Sequence, residues 1–230
     1  MREYNSFEDN KIAQQWIAAI EKPQDSSRER EYYPLLYSWS HEMHNAIIVE
    51  IGSGQGICSS KIDLIKNRYI GVEPSQVLLD RAKALYPEPN KQFLLGNSYE
   101  LPLPDASVDA ALSVGVWFHI EDIDRAHAEI RRVLKPGGKL LILTGNHAAQ
   151  SQWESFFENP VVIGNKIEGK IYVPGGSMDH NILYLHDNKD LKMSLAKNGF
   201  AIDSIREMGF GGKQKRPSGI FICVQATKLS

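Results

Sequence analysis

The segment IIVEIGSGQGICSS, residues 47–60, places three glycines at GxGxG spacing directly after a short apolar run. Gly52 and Gly54 permit a tight turn with no Cβ between the backbone and a ligand, and Gly56 lets a following helix pack closely on the strand. Nineteen positions beyond Gly54, Glu73 ends the next apolar run, where a carboxylate accepts hydrogen bonds from both hydroxyls of a ribose. The glycines and the acid together predict a site for an adenosine-containing ligand; a plain tight turn and a surface acid are the alternative.

The acid Glu50, two residues before the first glycine, indicates which adenosine-containing ligand fits. Dinucleotide sites normally use GxGxxG spacing, because the amino terminus of the next helix receives a pyrophosphate. A carboxylate at the depth of Glu50 repels a pyrophosphate but attracts a ligand that carries an amino group and a sulfonium. This charge argument favours S-adenosylmethionine over NAD.

Apolar runs alternate with helical segments between residues 46 and 144 and must position these side chains. Five runs are too short for helices and predict buried strands: AIIVEI, YIGV, QFLLG, VDAALSV and KLLILT. Helices are predicted from Ser75 and from about Asp122, and the second ends at KPGG. The glycine segment is expected to open a further helix. This alternation predicts a parallel sheet covered by helices on both faces.

Helices precede this region, and a less regular segment follows it. An amphipathic helix is predicted up to Pro23, and a second helical stretch, SSREREYYPLLYSWSHEMH, contains Pro34. Residues 145–186 lack the alternation and are interpreted as an insertion over the carboxyl edge of the sheet. A helix over about 187–198 and the strands FAIDSIREM and GIFICVQATK come last. The short connection between these strands predicts an antiparallel hairpin.

Four motifs in order make the chain resemble the class I S-adenosylmethionine-dependent methyltransferases that act on small molecules. VEIGSGQG is similar to their first motif, GVEPSQVLLDRAKAL to the second, and GNSYELPLPDASVDAALSVGVWFHIED and RRVLKPGGKLLIL to the third to fifth stretches. The resemblance implies a Rossmann-like α/β fold: a seven-stranded, mostly parallel sheet of order 3-2-1-4-5-7-6 with an antiparallel last strand, helices on both faces and an N-terminal helical cap. One domain is expected, with the cap in 1–45, the cofactor-binding core in 46–144, an acceptor lid in 145–186 and a C-terminal helix and hairpin in 187–230.

The resemblance also implies roles for individual residues around an S-adenosylmethionine cofactor. Glu73 is expected to hold the ribose, and Glu50 with the glycine segment the methionine part. Asn97 stands where the family usually has an acid that contacts the adenine amine, and its amide oxygen can still accept from that amine. The full set of expected cofactor-binding residues is Glu50, Gly52, Ser53, Gly54, Gly56, Glu73, Pro74, Asn97, Ser98, Ser113, Val114 and Gly115.

The acceptor side is less determined, because methyl transfer from a sulfonium needs mainly in-line positioning and no particular catalytic residue. His119 is a candidate base for an acceptor that must lose a proton, or it packs beside Phe118. Arg28 and Arg30 either reach the cofactor carboxylate or lie on a solvated helix face. Core packing is the alternative role for the aromatic candidates. The candidates for substrate contact are Tyr33, Trp117, His119, His147 and Trp153.

Composition limits the classes of function. The 230 residues carry a formal net charge of -2, which gives no field that attracts nucleic acid, and the basic KQKR cluster at 213–216 is interpreted as a solvated hairpin tip. Neither a membrane-spanning run nor a signal peptide is recognised, so a cytoplasmic protein is expected. Cys58 and Cys223 are expected in the core of a protein from a reducing compartment, and no metal site is supported.

The leading hypothesis is an enzyme that transfers a methyl group from S-adenosylmethionine to oxygen, nitrogen or carbon of a small molecule. Three alternatives stay open: a relative that binds the cofactor without catalysis, a methyltransferase for RNA or protein, and an NAD-dependent oxidoreductase. The sequence determines neither the acceptor nor the choice between monomer and homodimer.

Overall fold

The computed structural model describes residues 5–21, 28–173, 175–209 and 219–230, and its centre is a seven-stranded sheet. The sheet has the order β3-β2-β1-β4-β5-β10-β9, in which β10 runs antiparallel to both its neighbours and the other pairs are parallel. The predicted fold class, strand order and reversed last strand are confirmed. The KQKR cluster lies outside the described residues. The strands of the protein are β1 (Ile47–Ile51), β2 (Arg68–Glu73), β3 (Lys91–Leu95), β4 (Val108–Val114), β5 (Leu134–Gly145), β6 (Phe157–Ile163), β7 (Lys166–Val173), β8 (Gly176–Tyr184), β9 (Phe200–Met208) and β10 (Phe221–Lys228).

The strand order reverses beside β1, which pairs with β2 on one side and β4 on the other. Ligands of open α/β sheets bind at such a point, outside the carboxyl ends of the strands. Gly52 follows the end of β1, Glu73 ends β2 and Val114 ends β4. Because these three strands are parallel, the predicted cofactor residues meet at one edge of the sheet.

Helices cover both faces of the sheet and bury a separate core on each. Leu36 and Leu79, from α2 and α3, pack on one face, and Ile130 and Leu195, from α4 and α6, pack on the other. Each of these side chains is at most 1% exposed, and burying one stabilises the fold by roughly 1.5 to 3 kcal/mol. The helices are α1 (Asn10–Ile20), α2 (Tyr33–His41), α3 (Gln76–Leu85), α4 (Ile123–Val133), α5 (Gln150–Glu154) and α6 (Asn188–Lys197).

The prediction of a regular helix after the glycine segment is wrong, because a short 3-10 helix, Ile57–Ser60, stands there and turns lead on to β2. A polar anchor at Asn67 explains the difference. Its side-chain nitrogen donates to three backbone carbonyls at 3.0 to 3.3 Å, and its oxygen accepts from the Ala46 N–H at 3.0 Å. The Asp63 N–H donates to Ser40 Oγ at 2.8 Å, so the same segment is tied to α2. These bonds hold the chain before β2 in turns and limit the helix to about one turn.

The amino-terminal cap contains α1, a π-helical turn and α2. Asp9 caps α1, because its Oδ1 accepts from the N–H groups of Lys11 and Ile12 at 2.8 and 3.1 Å. The second predicted helix is divided into the π-helical turn Arg28–Tyr32 and α2, and Pro34 lies in the first turn of α2. Proline has no N–H to continue the hydrogen-bond ladder, so the helix type changes directly before it.

The segment 145–186 is more regular than the sequence predicts, because β6, β7 and β8 form a separate antiparallel sheet in that order. The register shifts near Pro160 and Gly169, where bulges break the alternation by which a strand is recognised. Helix α1 packs on β8, and Ile12 and Met178 lie in a third core that α1 shares with this sheet. No helix in the described ranges combines the length and the apolar character needed to cross a bilayer.

Candidate cofactor site

The three glycines after β1 all have positive φ, but their surroundings differ. A Cβ on Gly52 (φ 70°) would lie 2.4 Å from Val116, and one on Gly56 (φ 80°) would lie 2.8 Å from Phe93. Gly54 (φ 54°) would place its Cβ where no heavy atom lies within 4 Å. Packing therefore requires the first and third glycines, whereas the middle one faces open space in which a ligand can approach the backbone.

Glu73 is fixed against the glycine loop by two backbone bonds. Its Oε2 accepts from the Gly54 N–H and its Oε1 from the Ser75 N–H, both at 2.9 Å. The side chain is buried, and this burial raises its pKa to about 7, although the two backbone donors oppose the rise. The carboxylate is thus held in one orientation beside the ligand-facing glycine.

Glu50, in β1 two residues before Gly52, is a second buried carboxylate. The Tyr69 hydroxyl donates to its Oε2. Burial raises the pKa of Glu50 to about 7, while hydrogen bonding from Tyr69 and Cys58 opposes the rise. Among the described residues no cation forms an ion pair with Glu50 or Glu73. Two carboxylates buried in this way favour a ligand that brings positive charge.

Three further side chains near the loop, those of Ser53, Gln55 and Ser59, each have a buried polar atom without a hydrogen-bond partner in the described part of the chain. Gln55 is 2% exposed and Ser59 1% exposed, and neither the Gln55 amide nitrogen nor the Ser59 hydroxyl has a hydrogen-bond partner in the described part of the chain. Such groups are usually satisfied by solvent or by a ligand. Ser53 is buried too, and its Oγ lies against Gly71 of β2.

Some of the predicted cofactor residues after β2 make hydrogen bonds that join the ends of neighbouring strands. Ser113 Oγ donates to the Ile51 carbonyl at 3.0 Å and so joins the ends of β4 and β1. Gly115 follows with φ 72°, next to the half-buried Val114, and its N–H donates to Leu143 O at 2.8 Å. Three predicted cofactor residues remain. Pro74, which directly follows Glu73, is half-buried, Ser98 is half-buried, and Asn97 is exposed.

Asn97 uses its side-chain oxygen within the protein. Its Oδ1 accepts from the N–H groups of Tyr99 and Glu100 at 2.8 and 3.1 Å. An amide oxygen has two acceptor positions, so contact with an adenine amine requires one of these bonds to be given up. The adenine role of Asn97 stays a prediction.

His119 lies at the carboxyl end of β4 between two aromatic rings. Its ring centroid is 5.3 Å from that of Phe7 and 4.6 Å from that of Phe118. Its Nδ1 is 3.0 Å from the Ile182 carbonyl, which accepts from an N–H there and leaves the lone pair on Nε2. Burial lowers the pKa of His119 to about 4, so the ring is neutral at neutral pH.

The other acceptor-side candidates separate into core and surface positions. Trp117 is fully buried and donates through Nε1 to His127 at 2.9 Å, so it packs under α4 and does not line the site. Trp153 is also buried and anchors the insertion by donating to Ile220 O at 3.0 Å. His147 is exposed. Trp117 and Trp153 therefore make core contacts, whereas the substrate role of His147 stays a prediction.

Tyr33 packs against the core on the same face of the sheet as α2 and α3. Its ring is 4.6 Å from the Lys61 ammonium, and burial, together with the nearby Cys58 and Glu50, raises its pKa to about 12. Sequence reasoning missed Tyr69 and Phe7, which contact Glu50 and His119. The sequence does hold a signal for Tyr69, because a tyrosine in a buried apolar strand needs a hydrogen-bond partner for its hydroxyl.

These features define an α/β domain with a ligand site at the switch point of its sheet, formed by a glycine loop and two buried acids. Among the described residues no three His, Cys, Asp or Glu side chains come together to hold a metal ion.

Comparison with known proteins identifies the class more closely. Residues 49–142 match the family profile described as methyltransferase domain. A probable S-adenosylmethionine-dependent methyltransferase of Mycolicibacterium smegmatis is 33% identical over 121 residues, which cover 53% of this chain and 46% of that protein. The chain spans about half the length of the curated relatives it matches.

Solved structures with low identity share the fold. An S-adenosylmethionine-dependent methyltransferase of Methanosarcina mazei has a TM-score of 0.69 at 20% identity and covers 86% of this chain and 98% of its own. A putative methyltransferase of Haloferax volcanii, solved in complex with the Trm112 methyltransferase activator, has a TM-score of 0.70 at 14% identity over 100% of both chains. Residues 49–142 of this chain therefore match a methyltransferase domain, the fold is shared with solved S-adenosylmethionine-dependent methyltransferases, and S-adenosylmethionine is the cofactor that these similarities indicate.

Proposed function

We propose that this protein transfers a methyl group from S-adenosylmethionine to a small-molecule acceptor. The observation that carries the proposal is the surroundings of Gly54, which faces open space beside two buried carboxylates, Glu50 and Glu73. A cofactor with an amino group and a sulfonium complements such a site, and the unpartnered amide of Gln55 leaves a polar group for it to meet.

Different residues of the site bind different parts of the cofactor. Glu73, oriented by the backbone of Gly54 and Ser75, accepts from the ribose hydroxyls through the lone pairs that those two donors leave unused. Glu50 lies under the methionine part, where its charge attracts the cationic groups. The backbone of the glycine loop carries no side chain on the ligand side, so the cofactor lies directly against it.

The bound cofactor supplies a methyl group activated by positively charged sulfur. The chain's own contribution is to hold donor and acceptor in line and to exclude water, which is worth several kcal/mol in such displacements. His119 is neutral, and its free Nε2 can accept a hydrogen bond from an acceptor hydroxyl or amine, although a pKa of about 4 makes it a weak base. Orientation of the acceptor is therefore its proposed role.

The contacts of helix α1 with α3 and β8 support a small acceptor. Helix α1 is joined to α3 by the Glu21–Arg81 ion pair, with two N–H···O bonds of 2.8 Å, and to β8 by the Lys11–Asp179 ion pair. It therefore spans from the cofactor side to the insertion. A helix in this position would limit access to the site, so a small molecule would enter more readily than a folded macromolecule.

Calorimetric titration with S-adenosylhomocysteine tests the cofactor site. Gly54→Ala adds a methyl group to the open space at φ 54°, and we expect it to weaken binding at least tenfold. Gly164→Ala is the matched control, since Gly164 has φ 62° with nothing within 4 Å, far from the loop in sequence. Both variants carry a similar backbone strain of roughly 1 to 2 kcal/mol, so only the loop variant is expected to lose affinity. Absence of binding by the unchanged protein at millimolar ligand refutes the proposal.

The Haloferax volcanii neighbour favours a second candidate, a methyltransferase that works on a macromolecule with an activator protein as partner. Incubation of the protein with methyl-labelled cofactor and a cell extract, separated into metabolite and macromolecule fractions, distinguishes the two candidates. Label in the metabolite fraction supports a small acceptor. Label confined to RNA or protein supports the second candidate instead.

A further inference from the structure

The loop between β3 and β4, residues 96–107, folds back over the end of β2. Leu95, the last residue of β3, pairs with Glu73, and the Gly96 N–H donates to Glu73 O at 3.2 Å. A Cβ on Gly96 would lie 2.7 Å from Pro102 Cδ, so the later part of the loop packs on its first residue. This β3–β4 loop therefore lies at the same edge of the sheet as Glu73.

Two prolines limit the hydrogen bonds that the loop can make within itself. Pro102 and Pro104 have no N–H, and each disfavours the helical conformation for the leucine before it. The Leu103 N–H donates to Leu101 O at 2.7 Å, which makes one tight turn around Pro102. A segment of this composition depends on side chains from another element to fix its shape.

Helix α4 supplies those side chains through Arg132 and Glu129. The Arg132 guanidinium donates to Leu101 O at 3.0 Å and to Leu103 O at 2.8 Å, and a further bond of 2.7 Å reaches Asp105 Oδ1. Glu129 Oε1 accepts from the Leu101 N–H at 2.7 Å, and the two carboxylate oxygens accept from the guanidinium at 2.7 and 2.8 Å. A bidentate pair of this kind fixes the plane of the guanidinium. The pair therefore clamps the part of the loop that contains the prolines.

The first part of the loop is held by the amino-terminal end of the same helix. The Tyr99 hydroxyl accepts from the Asp122 N–H at 3.3 Å, and the Arg125 guanidinium lies over the Tyr99 ring, 4.6 Å from its centroid. The Tyr99 N–H donates to Asn97 Oδ1 at 2.8 Å, so these contacts also hold the turn that contains Asn97. Both ends of α4 thus set the position of the loop.

The expected position of the cofactor's base follows from the order of the strands. Strand β2 lies between β1 and β3. The ribose is proposed to bind Glu73 at the end of β2, and the cationic methionine part is proposed to lie over Glu50 in β1. The base and the methionine part are attached at opposite sides of the ribose, so the base points towards β3 and the β3–β4 loop.

We propose that Arg132 and Glu129 are positioning residues that hold the β3–β4 loop in contact with the base of the cofactor; this inference rests on the proposed function. Both residues act through the loop. A binding site is most selective when the residues behind it fix the groups that touch the ligand. Release of the clamp is therefore expected to weaken the contacts with the base and to leave the contacts of Glu73 and the glycine loop with the rest of the ligand unchanged.

Calorimetric titration with S-adenosylhomocysteine and with S-ribosylhomocysteine, which lacks the base, tests this role. The ratio of the two affinities measures the contribution of the base, whereas a general loss of structure lowers both affinities together. The unchanged protein is expected to prefer S-adenosylhomocysteine. Arg132→Met removes the bonds to Leu101, Leu103 and Asp105, and the loss of one or two base contacts should lower the preference roughly 5- to 30-fold.

Arg131→Met is the matched control. Arg131 is the adjacent arginine of α4 and also donates to two backbone carbonyls, but these belong to Gly199 and Leu229, at 3.1 and 3.4 Å, after α6 and β10. Its loss affects the same helix without releasing the β3–β4 loop. The preference for S-adenosylhomocysteine is therefore expected to stay as in the unchanged protein.

An unaltered preference in Arg132→Met overturns the positioning role, and so does an equal fall of the preference in Arg131→Met. Equal affinity of the unchanged protein for the two ligands overturns it too, because the base then contributes nothing. Failure of the unchanged protein to bind either ligand refutes the proposed function instead.

Urea unfolding checks that Arg132→Met is folded, and if it is not, Arg132→Lys replaces it. That variant keeps a cation beside Glu129 without the planar fork that reaches both leucine carbonyls. Its preference for S-adenosylhomocysteine is expected to fall by less than in Arg132→Met, and an undiminished preference overturns the positioning role.

Discussion

Replacement of Glu50 by Gln removes a charge that the fold buries without a cationic partner. The amide is close in size to the carboxylate, and its oxygen can still accept from the Tyr69 hydroxyl, so packing is retained. Burial raises the pKa of Glu50 from 4.5 to about 7, which means that the folded protein holds this proton more tightly than the unfolded chain does. The variant therefore isolates the cost of the buried charge.

The sign of the effect follows from proton linkage. Between pH 4.5 and about 7 the unfolded chain has lost the Glu50 proton while the folded protein keeps it, so stability falls as pH rises through this window. Above pH 7 both states are ionised and the cost is constant. At about 1.4 kcal/mol for each pKa unit, the difference amounts to roughly 3 kcal/mol. Glu50→Gln is expected to be more stable than the unchanged protein by about this amount at pH 8, and by little at pH 4.5.

Urea unfolding followed by tryptophan fluorescence at pH 4.5 and pH 8 measures the free energy of unfolding in the absence of ligand. Glu42→Gln is the matched control, because Glu42 is exposed and its substitution is expected to change little at either pH. Saturating S-adenosylhomocysteine should stabilise the unchanged protein more than Glu50→Gln at pH 8, since the ligand's ammonium offsets the buried charge. A Glu50→Gln variant with the same unfolding free energy as the unchanged protein at pH 8 would refute the charge argument for the cofactor.

Two further predictions concern polar anchors of the fold, and both are measured as free energies of urea unfolding. Asn67→Ala removes all the side-chain bonds that hold the chain before β2, so a loss of roughly 2 to 4 kcal/mol is expected, whereas Asn90→Ala removes one bond of 3.2 Å and should cost about 1 kcal/mol. Equal losses would contradict the anchor role. Trp117→Phe leaves His127 Nε2 without its donor and is expected to cost roughly 1 to 2 kcal/mol without a change in cofactor affinity, and a large change in affinity would return Trp117 to the site.

The sheet and the cofactor loop were predictable because their signals are local. Buried parallel strands are short continuous apolar runs, and VDAALSV coincides with β4, Val108–Val114. The three glycines have positive φ, as a loop that leaves out side chains requires. Glu73 follows from its position at the end of β2, because parallel strand ends share an edge.

Features that depend on contacts distant in sequence were not predictable in the same way. The 3-10 helix after the glycine loop results from Asn67 binding carbonyls near the end of α2, a pairing that no periodicity records. The sheet of β6 to β8 has bulges and pairs only with itself, so its strands lack a clean alternation. Trp117 was a candidate for the acceptor wall because it follows β4. A shift of one position along the chain changes whether a side chain faces the site or the core.

The range covered by the family profile has a consequence for the acceptor. The family profile covers residues 49–142, which contain the glycine loop, both acids and His119. Helix α1 and the sheet of β6 to β8 lie outside that range, and α1 is joined to α3 and to β8 by ion pairs. The residues proposed to bind the donor lie inside the matched range, whereas α1 and this sheet lie outside it. Exchange of the cap and the insertion between relatives is therefore expected to change which acceptor is methylated.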